Sequence, residues 1–325
     1  MQSESALLHS LAFDGEGSAT PLTDAEQIKA APGNQLVWIH LDAGGGLAED
    51  WLARYAPDLD SLIVEALLAG ETRPRLLERD DGLLLILRGM NLNENSAPED
   101  MVSIRLWITE NRILSVRLRK LKAVSDIVDR LSAGQGPTNA GEFVAALVGG
   151  LFKRMEPVFA ALDEALDDLE EQVMESPDRS QRSAVIGLRK QAIIFRRYIA
   201  PQREAISALR LSGPLWLSQP QRHQLQESQD QVIRYIEDID ALRERAQIVK
   251  DELSNALSDE MNRNLYQLSL ITAIFLPLGF LTGLLGINVG GIPGAEAPTA
   301  FWIFCGLLSL IVGLQLAMFR RLRWF

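Results

Sequence analysis

Short apolar runs separated by turn-forming residues dominate the first third of the chain. Such runs are typical of buried β-strands, and apolar residues at helical spacing between them predict helices. The predicted strands are 36–40, 83–87, 102–108 and 112–118, and the predicted helices are 48–55, 58–68 and 123–131. The last two strands would pair through a turn at Glu110 and Asn111. We therefore expect residues 1–135 to form an α/β domain.

Strand patterns end at the glycine- and proline-containing break 134–137, and helical spacing follows it. One helix is predicted over 142–174 and a second over 179–211, as an antiparallel hairpin around Pro177. The first is acidic in its second half and the second is basic, so their charged faces would be solvated and partly paired. The alternative is that the acidic helix senses divalent ions. The candidate residues for sensing are Asp163, Asp167 and Asp168.

A much longer helix is predicted to begin after Ser218, a suitable N-cap residue, with Pro220 in its first turn. No helix-breaking residue follows before Pro277, and continued to residue 285 the helix would be on the order of 100 Å long. Within it, apolar residues recur at alternating spacings of three and four. They are Val232, Tyr235, Ile239, Leu242, Ala246, Val249, Leu253 and Ala256.

This heptad pattern predicts packing against another helix along its length. The partner is either the hairpin of the same chain or the same helix of other subunits. Residues 136–264 are thus expected to form a cytoplasmic helical hairpin and a stalk helix.

Two stretches near the end of the chain, 265–285 and 301–319, are long and apolar enough to cross a bilayer. Arg263 precedes the first stretch and three arginines follow the second, whereas the loop 288–299 contains neither Lys nor Arg. By the positive-inside rule, both termini lie in the cytoplasm and the loop lies in the periplasm. Residues 265–325 are predicted to be the transmembrane domain of an α+β membrane protein.

The first span is the better candidate for a pore lining, because it carries small and polar residues on one helical face. These are Asn262, Leu265, Ser269, Thr272, Leu276, Gly279 and Gly283. For the two glycines, tight helix packing is an equally good interpretation. The second span is apolar on all sides and is expected to face lipid. Since two helices cannot enclose a water-filled path, a pore requires several subunits around an axis.

Charge and composition narrow the function. The net charge is −11, with 29 Lys and Arg against 42 Asp and Glu before residue 265. Such acidity favours cations and disfavours nucleic acid, whose phosphates bind Lys and Arg. One cysteine, Cys305, and three histidines are too few for a tight zinc site of Cys/His type within one subunit. We find no cleavable signal peptide, no catalytic constellation and no sign of a cofactor, so an enzyme is disfavoured.

The residues from Asn264 through the end of the first span, closing on Gly286, Ile287 and Asn288, resemble the signature of the CorA superfamily of divalent-cation transporters. Magnesium-transporting members have Gly-Met-Asn at this tripeptide and an acidic loop after it. Here the second residue is Ile287, and the loop has Glu296 as its single acid, which is similar to the zinc-transporting ZntB branch. Further ZntB-like stretches are 71–75, 189–191 and 196–203.

The resemblance implies a funnel-shaped homopentamer in a bacterial inner membrane, with five copies of Asn288 at the outer mouth of the pore. Amide oxygens would bind the water shell of a hydrated cation weakly enough for the ion to leave. Zn²⁺ is the expected transported ion, with Cd²⁺ as a further candidate. A Mg²⁺/Co²⁺ channel of the same architecture remains the first alternative, because oxygen ligands suit those ions equally. A non-conducting membrane-anchored coiled-coil sensor or scaffold is the second.

Overall fold

One mixed sheet of seven strands organises the N-terminal part of the chain. The structure, a computed structural model, describes residues 6–22, 35–212, 214, 216–287, 294 and 297–321. The strands are β1 Leu7–Phe13, β2 Ala19–Pro21, β3 Val37–Asp42, β4 Arg75–Arg79, β5 Gly82–Gly89, β6 Val102–Ile108 and β7 Arg112–Arg117. Their order across the sheet is β2-β1-β3-β7-β6-β5-β4. The β3–β7 pair is parallel and the other pairs are antiparallel.

All four predicted strands are confirmed, and β6 pairs with β7 as expected, with Ile108 opposite Ile113. The sequence pattern missed β1, β2 and β4. Strand β4 is an edge strand with charged, exposed ends, so its pairing with β5, and not an apolar pattern, makes it a strand. Strand β1 likewise owes its conformation to its antiparallel pairing with β3.

Three helices lie against or beside the sheet: α1 Ala48–Tyr55, α2 Ser61–Leu68 and α3 Lys122–Ser132. Leu52 of α1 and Leu67 of α2 are fully buried in one apolar core with Trp107 and other residues of the sheet. Helix α2 begins later than predicted because Asp60 is its N-cap, with a carboxylate that accepts from the Leu62 amide at 2.8 Å. This satisfies a donor that the first helical turn leaves open.

Five helices follow: α4 Ala140–Lys153, α5 Glu156–Glu175, α6 Gln181–Ser212, α7 Gln219–Leu285 and α8 Ala300–Arg321. The prediction of a single helix over 142–174 was wrong, because a turn at Arg154 and Met155 separates α4 from α5. Pro157 lies in the first turn of α5 and has no amide hydrogen for the Lys153 carbonyl, so one helical hydrogen bond is missing at the break.

The part of the apolar seam of α7 from Val232 to Val249 packs on the hairpin of its own chain. Tyr235 lies 5.1 Å from the ring of Phe159 in α5, and Phe159 contacts Phe195 of α6 at 5.3 Å. Asp240 forms an ion pair with Arg196 of α6 at 2.6 Å. The seam residues from Val232 to Leu253 are buried, and Ala256 is half-buried. The choice left open by the heptad pattern is thus decided for Val232 to Val249, which lie in the same compact unit as the hairpin.

The chain forms two compact units, 1–251 and 252–325. The predicted boundaries at 135 and 264 stay predictions. Unit 1–251 holds the sheet and the helices around it, with the buried core just described. Unit 252–325 consists of the last part of α7 and of α8.

Candidate ion pathway in the membrane segments

Unit 252–325 contains the two helical segments that are long and apolar enough to cross a membrane. One is the C-terminal part of α7 and the other is α8. Their side chains are largely exposed, including Leu276 at 69% and Trp302 at 73%. A segment with so much exposed apolar surface needs lipid or other protein around it.

Helix α8 covers one side of α7. On α7 the half-buried residues are Leu270, Ala273, Ile274, Leu278 and Leu281, at helical spacing. On α8 they are Phe304, Cys305, Leu308, Ile311, Val312 and Gln315, and Phe319 is buried. The amide Nε2 of Gln315 donates to the Ala273 carbonyl at 3.3 Å, which fixes the two faces against each other. The second span therefore uses one face for α7, and the expectation that all its sides meet lipid needs this correction.

The seven residues predicted to line a pore lie on a different side of α7. All seven are exposed in the single chain, from Asn262 to Gly283. At about 100° per residue, their mean direction is roughly 150° from that of the face covered by α8. The structure thus leaves the polar face of α7 uncovered by its own chain.

The glycines of this face do not serve the contact with α8. A Cβ atom built on Gly279 or Gly283 would meet no atom within 4 Å. Within one chain, tight packing of α7 and α8 therefore does not explain them, and close approach would have to involve another copy. Gly286 differs, because a Cβ there would lie 2.7 Å from the Thr282 carbonyl oxygen. A side chain at this helix end would force the backbone to shift.

Thr272 presents a hydrogen-bond acceptor on this face. Its hydroxyl proton is used within the helix, donated to the Leu268 carbonyl at 2.8 Å. The oxygen keeps lone pairs, which can accept from the water shell of a cation. Ser309 of α8 has the same arrangement toward the Cys305 carbonyl, at 2.9 Å, but lies on the other helix.

The outer end of the predicted pathway is only partly described. Helix α7 ends at Leu285, and the Gly286 amide still donates to the Thr282 carbonyl at 2.9 Å. Ile287 is 50% exposed. Asn288, the predicted ion-binding residue, and Glu296 lie outside the described residues. Their roles stay predictions.

The acidic face of α5 is paired with α7. Arg245 of α7 forms ion pairs with Asp163 at 3.0 Å, Glu170 at 2.9 Å, and Asp167. The hydrogen bonds that Arg245 donates to the carboxylates of Asp167 and Glu170 raise the pKa of Arg245 above its ordinary value. Asp168 is exposed and lies outside this cluster. The arrangement favours charge pairing as the role of Asp163 and Asp167, and ion sensing stays an untested hypothesis.

Two of the three histidines lie together in the sheet. His9 and His40 are opposite each other on β1 and β3, with ring centroids 6.0 Å apart. His40 is fully buried, and its Nδ1 lies 2.7 Å from the Ser115 hydroxyl. Burial, with the nearby Arg117 charge, lowers the pKa of His40 to about 3, so the ring is neutral. Among the described residues, no three His, Cys, Asp or Glu side chains are grouped as a metal site.

Two of the ZntB-like sequence stretches converge on a buried arginine that the sequence analysis did not single out. The Arg88 guanidinium donates to the carbonyls of Thr72, at 3.0 Å, and Met101, at 2.7 Å. It lies 4.2 Å from the centre of the Tyr198 ring, and the Arg88 amide donates to Gln202 at 2.9 Å. Residues 71–75 and 196–203 are thereby joined, which gives them a structural role within unit 1–251.

An N-terminal sheet domain followed by helices and two apolar C-terminal helices is a known membrane-transporter architecture. The complete structure of the CorA magnesium transporter from Methanocaldococcus jannaschii superposes with a TM-score of 0.81 over 98% of this chain and 99% of that one. At 19% identity, this likeness concerns the fold alone. The family pattern described as CorA-like Mg²⁺ transporter protein matches residues 33–321. This chain belongs to the CorA-like family.

Two groups of relatives cover most of the chain. The divalent cation transporter CmaX of Pseudomonas aeruginosa is 41% identical over 89% of this chain and 87% of its own length. The zinc transport protein ZntB of Pectobacterium carotovorum is 36% identical over 98% of this chain and 96% of its own. The full-length CmaX structure has a TM-score of 0.85, with 37% identity and full coverage of both chains.

Proposed function

We propose that this chain transports divalent cations, with zinc as a principal ion, through a pore formed by several copies of α7. Membership of the CorA-like family and the similarity to CmaX and ZntB support cation transport. The ZntB relatives support zinc in particular. The CorA resemblance supports five copies, placed in a bacterial inner membrane.

The observation that carries the proposal is the position of the polar face of α7. It is exposed and points away from α8, as a surface that lines a shared axis must. A membrane anchor would gain nothing from hydroxyl, amide and glycine residues on one exposed side. Lipid-facing polar groups are costly, whereas the same groups around a water-filled path remain hydrated.

The orientation follows from the flanking charges. Arg263 precedes the membrane part of α7, and Arg320 and Arg321 end α8. The loop between the helices has no basic residue. Both termini are therefore assigned to the cytoplasm and the loop to the periplasm.

The chemistry proposed for the path is weak oxygen coordination of a hydrated ion. Thr272 and Ser269 would present hydroxyl oxygens, and Asn262 and Asn288 amide oxygens. Five copies of each would form rings that hold the water shell without the strong field of carboxylates, so the ion can pass. Such oxygen ligands also suit Mg²⁺, and Cd²⁺ has the same charge as Zn²⁺. The ligands therefore do not select one of these ions, and transport assays must determine which ion passes.

Transport can be tested with purified protein in liposomes that contain a zinc-sensitive dye. We expect zinc-dependent fluorescence, measured with and without a pH gradient, and parallel assays with Mg²⁺ and Cd²⁺ using suitable dyes. Flux of Mg²⁺ without Zn²⁺ would support the magnesium channel instead. No flux of any of these ions would contradict transport and favour the anchored scaffold.

A matched pair of variants tests the pore face. Thr272→Val removes a hydroxyl from the polar face of α7, and Ser309→Ala removes a similarly bonded hydroxyl from α8. We expect zinc flux to fall severalfold for the first and to stay parental for the second. Equal effects would contradict the assigned pore lining. The mass of the detergent-solubilised particle should correspond to five copies, and a monomer that still transports would contradict the shared pore.

A further inference from the structure

The membrane part of α7 contains a gap in its backbone hydrogen bonds. Pro277 lies inside the helix and has no amide hydrogen. In an α-helix the amide of residue 277 would bond to the carbonyl of residue 273. The Ala273 carbonyl therefore lacks its helical partner. In a bilayer, no water in the hydrocarbon region can replace that partner.

The missing donor is supplied by α8. Nε2 of Gln315 donates to the Ala273 carbonyl oxygen at 3.3 Å. Ser309, the other polar residue of α8 within the span, donates its hydroxyl to the Cys305 carbonyl of its own helix. The Oε1 atom of Gln315 is buried and has no hydrogen-bond partner among the described residues. The hydrogen bond to the Ala273 carbonyl thus explains why a glutamine is present at position 315 of an otherwise apolar helix.

The gap falls in the middle of the proposed pore lining. Two residues of the polar face, Ser269 and Thr272, lie before Ala273 in the sequence. Two more, Gly279 and Gly283, lie after Pro277. A proline inside a helix weakens the connection between the turns before and after it. The part of the polar face after Pro277 can therefore change its direction relative to the part before Ala273. Contacts that fix residues 273–277 limit this change.

We propose that Gln315 is a positioning residue for ion transport, which holds the two halves of the α7 pore face in register by bonding the carbonyl that Pro277 leaves open. Gln315 does not contact the ion and acts through α7. This inference rests on the proposed function, because register of the pore face matters only if ions pass along it.

A double-mutant cycle with Gln315→Met and Pro277→Ala tests the inference. Methionine has nearly the shape of glutamine but no donor. Alanine at 277 restores the amide hydrogen, so the Ala273 carbonyl regains its helical partner and the Gln315 donor becomes redundant. In the Pro277 parent, Gln315→Met should lower the maximal zinc flux into liposomes threefold or more. The zinc concentration for half-maximal flux should stay unchanged, because the ion-binding groups are intact.

In the Pro277→Ala background, the same Gln315→Met change should leave flux within experimental error. Ser309→Ala is the control in both backgrounds and should have no effect. An equal loss on Gln315→Met in both backgrounds, or no loss in the parent, would overturn the inference. An inactive parent protein would instead contradict the proposed function itself.

Thermal unfolding of the detergent-solubilised protein gives a readout independent of transport. Gln315→Met should lower the unfolding midpoint by about 1–2 °C with proline at 277 and not with alanine, as expected for loss of one interhelical hydrogen bond. If Pro277→Ala alone abolishes flux, the unfolding midpoints of the same four proteins still test the inference. Additive midpoint shifts would then overturn the inference, and coupled shifts would support it.

Discussion

The two units of this chain differ in where their apolar side chains find partners. In unit 1–251, strands and helices bury Trp38, Trp107 and Phe143 almost completely. In unit 252–325, among the described residues, Leu253 and Phe319 are buried and most large apolar side chains are exposed. The first unit therefore contains its own core, whereas the second has an exposed apolar surface, which the proposed function assigns to lipid and to contacts between copies. Burial within the chain thus marks the unit that forms its own core, and the exposed polar positions of α7 carry the proposal of a transport path.

The sharpest test of this contrast is a pair of tryptophan substitutions. Trp107 is 1% exposed in the core of the sheet, and Trp302 is 73% exposed on α8. Trp107→Ala should lower the free energy of unfolding by about 3–5 kcal/mol, because it leaves a cavity. Trp302→Ala should cost no more than about 0.5 kcal/mol. Both can be measured by circular dichroism during thermal unfolding in detergent.

If the Trp107→Ala protein does not fold well enough to be measured, Trp107→Phe should still show a smaller loss than Ala and a larger one than Trp302→Ala. Similar losses for the two tryptophans would contradict the contrast between a self-contained core and an externally covered surface.

The second prediction concerns transport and Asn288. Asn288→Ala removes one amide oxygen from every subunit at the predicted outer mouth. Hydrogen bonds to charged partners contribute about 1.5–3 kcal/mol each, so partial loss should reduce zinc flux tenfold or more. Stability should change little, since the residue follows the last residue of α7 in the sequence and is not part of the apolar stretch. Zinc uptake into liposomes measures the flux.

Asn264→Ala is a suitable control, because Asn264 is exposed on α7 but lies off the polar face. Asn288→Asp should retain oxygen atoms and hold the ion longer through its charge. Parental flux in Asn288→Ala pentamers would move the selectivity site deeper, toward Thr272 and Asn262.

The smallest effect is expected in the acidic helix of unit 1–251. Changing Asp163, Asp167 and Asp168 together to Asn should leave the zinc dependence of transport unchanged. Stability should fall by no more than about 1 kcal/mol, because the side chains are largely exposed and Glu170 still pairs with Arg245. Transport assays over a range of zinc concentrations measure the first quantity and thermal unfolding the second. A shifted zinc dependence with intact assembly would support ion sensing after all.

Much of this architecture was predictable because local patterns carry it. The central strands are continuous apolar runs, α7 has no breaker before Pro277, and the two membrane segments are apolar over the required length. The polar face of α7 was also predictable, since helical spacing alone groups its residues. The tripeptide with Asn288 came from the family resemblance and stays a prediction for this chain.

Other features depend on partners distant in the sequence. His9 meets His40 only because β1 pairs with β3. The break between α4 and α5 had a local signal in Pro157 that the helical spacing concealed. No spacing rule connects Gln315 to Ala273, 42 residues away.

The sequence by itself thus determined the classes of elements, the membrane segments and the polar side of α7, because hydrophobic periodicity and chain length act within one element. The tertiary structure alone decided that the α7 seam from Val232 to Val249 packs on its own hairpin, that α8 covers the side opposite the polar face, and that Gln315 donates a hydrogen bond to the Ala273 carbonyl left open by Pro277. Each of these is a choice among partners, and such choices depend on which surfaces fit once the whole chain has folded.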